Sequence, residues 1–150
     1  MSLESVFKTY GQIGVQVLKQ AVAPHDATGK TQASIRYVAD MQSEQLIFLG
    51  RAFFQLLEKG VSPSKKPNVK PSKEMIEFMT EYAKARGMED PKKAAWAISV
   101  NQLKKGDKTF RQGGRIVYSD VMDTFVQDFK QALAKDFGKK MVTDIKNAFK

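Results

Sequence analysis

The chain has no cysteine in its 150 residues, which excludes disulfides and thiolate metal sites and permits a reducing compartment. Its single histidine, His25, sits in a polar segment beside Asp26 and has too few partners for metal ligation, so no metal site is expected. No apolar run approaches the ~20 residues of a helical membrane span. The N-terminal "MSLESVFKTYGQIG" lacks the basic start and apolar centre of a signal peptide. These absences lead to the expectation of a soluble intracellular product that makes no membrane contact. Proline is sparse, and three of the five fall in one stretch, "VSPSKKPNVKP", an exposed loop and the clearest boundary in the chain.

Acidic residues are also in short supply. Sixteen Asp and Glu stand against 25 Lys and Arg, for a net charge of +9. The imbalance is local: Ser62 to Arg115 holds 13 basic residues against 6 acidic, and the remainder 12 against 10. Such a surplus suits contact with a polyanion, most often nucleic acid. A lysine-rich solvated surface is the plainer alternative. With 42% hydrophobic residues the composition is that of an ordinary globular chain, and one domain is the simplest reading.

Residues 3 to 22 carry Leu3, Val6, Phe7, Tyr10, Ile13, Val17, Leu18 and Ala21 at steps of three and four, which predicts an amphipathic helix ended by Pro24. Gly11 and Gly14 weaken that helix but leave room for another element to approach closely. "TQASIRYVA" alternates as a half-buried strand, and "LIFLG" reads as its hairpin partner. "RAFFQLLEKG" predicts a short helix capped at Gly60. Ser72 and Asp90-Pro91 open two further helices, forming a hairpin over about 72–104. "RIVYS" is a candidate third strand. From Asp120 a helical pattern resumes as Met122, Phe125, Phe129, Leu133, Phe137, Met141, Ile145 and Phe149, with Gly138 a candidate break into two helices. The expected class is α+β, a single domain with a core of 1–61 and 115–150 and the helical hairpin inserted.

Chemistry-bearing motifs are few. Gly29-Lys30-Thr31 matches the tail of a phosphate-binding loop, but Pro24 occupies the leading glycine position. Such a loop also needs a strand before it and a helix after it, and here that order is reversed. A turn is expected instead, with Asp26 and Thr28 bonding nearby backbone and Gly29 at positive φ. Glu74, Glu77 and Glu81 share a helical face with lysines close by in sequence, as a solvated surface would. Trp96 in "AAWAI" suits core or interface packing, and Met75, Met79 and Met88 suit core or an adaptable contact surface. No nucleophile–base pairing is present, so neither catalytic residues nor a cofactor is expected.

The order of the pieces resembles the tail-completion or minor tail proteins of tailed bacteriophages. The resemblance rests on Asp26, Thr28 and Gly29 through Ser34-Ile35, with Ala27 inserted, and on Phe53-Phe54 through Leu57-Glu58-Lys59-Gly60. It extends to "AWAISVNQLKKGDKTFRQGGRIVYSDVM" before the final helix; the hairpin at 72–104 is larger than the family's compact pattern. The resemblance implies a small antiparallel sheet packed with a long N-terminal helix. It further implies a virion protein made in the host cytoplasm, forming a homo-oligomeric ring at the neck with portal, neck and tail proteins as partners. It carries no catalytic residues. DNA passing through such a ring would favour basic groups at the lumen and non-specific contact. Lys65, Lys66, Lys70, Lys104, Lys105, Lys108, Arg111 and Arg115 are the candidates. The alternative is a non-enzymatic nucleic-acid-binding protein using the basic region 62–115.

Overall fold

The computed structural model describes residues 2–148, without the side chains of Ala52 and Phe53. The expectations for Phe53 and Phe149 lie outside the described residues. Helix α1 runs Leu3–Val22, as its apolar spacing predicts, with the Ser2 hydroxyl accepting the Ser5 N–H at 3.2 Å. It gives way to a 3₁₀ turn at Ala23–His25, where Pro24 sits in the first turn and its missing N–H costs nothing. A one-turn helix, α2 (Lys30–Ala33), precedes the sheet.

Strands β1 (Arg36–Asp40) and β2 (Gln45–Leu49) form an antiparallel hairpin in register from Arg36–Leu49 to Asp40–Gln45. Asp40 holds the turn by accepting the N–H groups of Gln42 and Ser43 at 2.9 and 3.2 Å. Tyr37 and Phe48 are cross-strand partners, and both rings lie on α1 where it has only glycine: Tyr37 over Gly11, Phe48 over Gly14. The glycine pair is thus a notch that seats the sheet.

A 3₁₀ turn at Ala52–Gln55 leads into α3 (Leu56–Lys59). Helices α4 (Lys73–Ala85) and α5 (Pro91–Lys105) form the expected hairpin, N-capped by Ser72 and Asp90. Their inner faces are small, with Ala83, Ala95 and Ser99 fully buried, so the axes approach closely. Asp107 then caps α6 (Lys108–Arg111), and α7 (Ser119–Ala148) runs for 30 residues. Phe125 and Phe129 of α7 meet Phe7 and Tyr10 of α1, while Phe125 meets Phe48 edge-on at 5.5 Å. Leu18, Val22 and Ile35 form the centre of the core, surrounded by Phe48, Phe54, Leu57, Tyr118 and Met122. The class is α+β, a two-stranded sheet among long helices.

Four expectations are corrected. "RIVYS" is not a strand: Val117, Tyr118 and Ser119 give their N–H groups to the Glu58 carboxylate instead of to a neighbouring strand. The first strand begins at Arg36, because "KTQA" closes a helical turn with the Ala33 N–H on the Gly29 carbonyl. Gly138 does not break α7, and one glycine costs a helix only about 1 kcal/mol. Trp96 is 60% exposed, which excludes the core half of its expectation and leaves the interface half standing.

Candidate functional site

The residues that carry the family resemblance are gathered at two joints. At the first, the Asp26 carboxylate accepts the Gln32 N–H at 2.6 Å, and the Thr28 hydroxyl accepts the Lys30 N–H at 3.4 Å. Gly29 takes φ 72°, a conformation that disfavours any residue with a Cβ. Ser34 closes the segment, donating to the Thr31 carbonyl at 2.7 Å and accepting the Arg51 N–H at 3.0 Å. This ties the end of α2 to the residue after β2. Lys30, which would be the phosphate lysine of a nucleotide loop, pairs with Glu81 of α4 at 2.7 Å. That ion pair lowers the Glu81 carboxyl below its ordinary value, through the Lys30 hydrogen bond and charge. The segment therefore works as a hinge pin, and its lysine is committed to the helical hairpin.

The second joint is centred on Glu58. Its Oε1 accepts the N–H groups of Val117, Tyr118 and Ser119 at 3.0, 2.8 and 2.8 Å, and Oε2 accepts the Ser119 hydroxyl at 2.5 Å. Burial alone would push this carboxyl up. The Ser119 hydroxyl and the three N–H groups outweigh it and hold the group at about 2. The same burial and the Glu58 charge raise the Tyr118 phenol. Phe54 stacks on Tyr118 at 4.4 Å, and Gly60, at φ 76°, lets the Phe110 backbone approach where a side chain would collide. One carboxylate thus satisfies the first N–H of α7, at Ser119, and the two N–H groups before it, and fixes that helix to α3. Asp26, Thr28, Gly29, Ser34, Phe54, Glu58 and Gly60 of the family motifs thus each have a structural task.

The basic residues are what remains for a partner. Two segments some 40 positions apart are stitched together by the Ser64 N–H on the Leu103 carbonyl at 2.8 Å and the Asp107 N–H on the Val61 carbonyl at 3.0 Å. This brings Lys65 and Lys66 alongside Lys104, Lys105, Lys108 and Arg111, all exposed. Lys70, also exposed, lies before α4 at the same end of the antiparallel hairpin. Among the described residues the ion pairs are Lys30–Glu81 and Lys73–Glu77; Arg111 also donates its Nε to the Asp107 carbonyl at 3.4 Å, and the charges of the seven are left to solvent or an anion. Arg115 is different. Its Nε donates to the Leu57 carbonyl at 2.8 Å and its N–H to the Glu58 carbonyl at 2.8 Å, which commits it largely to the Glu58 joint. With burial, its charge also lowers the pKa of His25.

A further feature was hidden in the sequence. Phe137, Met141, Val142 and Ile145 of α7 are 67%, 54%, 52% and 52% exposed, although their spacing continues the core series of Phe125 and Phe129. Length is the signal that would have found them. Tyr10 meets Phe125 and Phe7 meets Phe129, so antiparallel α1, which begins at Leu3, ends as a partner within about two turns of Phe129, and α7 runs on past it. Between α1 and α7 lies an open groove of about 960 Å³, floored by Val6, Tyr10, Ile13 and Phe125 and lined along α7 from Asp120 to Lys139.

Among the described residues no group of three or more acidic or histidine side chains could hold a metal ion, and no helix is long and apolar enough to cross a membrane. The chain matches no protein-family model, no curated protein and no solved structure.

Proposed function

We propose that the chain is a structural subunit of a tailed-bacteriophage particle. It belongs to the tail-completion or neck ring that joins the portal and head to the tail around the DNA channel, and it has no enzymatic activity. The observation that carries this reading is the use of the motif residues. Asp26, Thr28, Gly29, Ser34, Glu58 and Gly60 hold two chain joints and line no reaction site. Two surfaces stay free for assembly, an exposed apolar strip on α7 and a cluster of uncommitted cations at the open end of the hairpin. An arrangement of lysines from two loops, without a fixed acceptor geometry, suits the phosphate backbone and not a base sequence.

The test is genetic and structural. Deleting the gene should give DNA-filled heads and separate tails that fail to join, and mass spectrometry should find the chain in purified wild-type virions. Infectious particles assembled without it would end the proposal. The convergence of the basic loops also supports a second reading, a nucleic-acid-binding protein outside any particle. A chain absent from virions that binds duplex DNA at physiological salt would favour that reading.

A further inference from the structure

We infer that copies of this chain join head to tail, with the distal half of α7 from one copy seated in the α1/α7 groove of the next. The inference deepens the ring reading and rests on it for closure. The knob is the apolar strip Phe137, Met141 and Ile145, on the part of α7 that runs past the start of α1. From Phe137 to Ala148 every residue of α7 is exposed. A helical end of that length is marginal in water without something covering one face. The hole is the groove of about 960 Å³, whose walls include the half-exposed Ile13 and Val121.

Charge selects a second copy as the occupant. Residues 119–129 of α7 carry Asp120, Asp123 and Asp128 and no basic group, while residues 130–148 carry five lysines against Asp136 and Asp144. The knob's residues 137–148 carry Lys139, Lys140 and Lys146 against Asp144, and the groove's α7 wall carries Asp120 and Asp128 at its proximal end, with Lys135, Asp136 and Lys139 beyond them. This polarity also suits the helix dipole, but that influence fades within the first and last turns. Asp123, Asp128, Lys130, Lys135 and Lys139 lie beyond its reach, so the dipole does not account for them. A contact between two different patches on the same chain is heterologous, and such contacts generate rings when the rotation closes.

The absence of native cysteine makes the test clean. Val121→Cys and Ile145→Cys proteins, each checked for a native circular dichroism spectrum, are mixed at millimolar concentration and oxidised. The expected result is a disulfide heterodimer from the mixture, a ladder of multimers from the double variant and no dimer from either single variant. Dimers from Ile145→Cys alone would mean a two-fold pairing of knobs and would overturn the head-to-tail contact, as would no cross-link in any sample. Asp128→Lys in the groove protein should cut heterodimer yield about tenfold, and Lys139→Asp with Lys140→Asp in the knob protein should restore it. Cross-linking unchanged by the swap would remove the charge argument and with it the choice of occupant. A ladder formed by a chain absent from virions would leave the contact standing and sink the neck reading. A virion component that forms no ladder would do the reverse.

Discussion

Glycine-to-alanine substitution should act in opposite directions in the two long helices. In an exposed helix interior this change is worth about 1 kcal/mol in favour of alanine. At Gly138 of α7 a methyl group would meet nothing within 4 Å, so only that gain operates. At Gly14 of α1 the methyl would overlap the Phe48 ring and press on Phe125 at 3.0 Å. Phe48 cannot swing aside, because Phe125 lies edge-on against it and Tyr37 occupies the neighbouring notch at Gly11. Overpacking of this kind costs about 1–3 kcal/mol, and two fixed rings place Gly14→Ala in the upper half of that range. The net is a loss of about 1–2 kcal/mol, or a fall in Tm of roughly 2–8 °C for a chain of this size. Gly11→Ala should behave alike, whereas Gly138→Ala should raise helix content and leave Tm level or higher. Thermal melts followed by circular dichroism decide the matter. Phe48→Leu added to Gly14→Ala should recover part of the loss, a coupling expected only of residues in contact. A Gly14→Ala protein as stable as the parent would refute the notch and the seating of the sheet on α1.

Glu58 should dominate the acid limb of stability. Its carboxyl is depressed from an ordinary 4.5 to about 2, so its contribution is complete above the unfolded-state value and lost as pH falls from about 4.5 towards 2. Glu58→Ala, which strands three N–H groups and a hydroxyl, should cost about 3 kcal/mol at neutral pH, read by urea titration. That variant should also lose the steep acid decline between those pH values, and a parent-like decline would count against the Glu58 joint. For the basic loops, Lys65→Glu with Lys105→Glu should weaken duplex binding at low salt and flatten the dependence of log K on log salt by about 0.9 per lost phosphate contact. An unchanged slope would remove these lysines from any DNA contact.

Local rules made most elements legible in the sequence. The spacing of α1, Ser72 and Asp90-Pro91 ahead of the helical hairpin, and Gly60 after α3 each announce an element through its own neighbours. The notch at Gly11 and Gly14 was legible as a place of close approach, but its occupants were not, because Tyr37 and Phe48 reach it only through strand register. Glu58 illustrates a harder case. Its partners are 59 to 61 positions away, and "RIVYS" alternates like a strand. Local pattern could not show that a carboxylate outcompetes a neighbouring strand for those N–H groups.

The two candidate surfaces divide along the same line. Surplus charge in 62–115 was countable, yet only the hydrogen bonds Ser64–Leu103 and Asp107–Val61 turn it into one cluster, and only the Leu57 carbonyl withdraws Arg115 from it. The α7 strip shows a different limit, a regular pattern that does not say what covers it. Spacing along α7 cannot reveal that its antiparallel partner α1 begins at Leu3 and leaves the end of the 30-residue helix uncovered. Phe125 is 6% exposed and Phe137, three steps on, is 67% exposed. The part of α7 that lies against α1 serves the fold, and the part that runs past Leu3 is the part proposed above to meet a neighbour. The charge reversal between residues 119–129 and 130–148 falls at the point where that change of use begins.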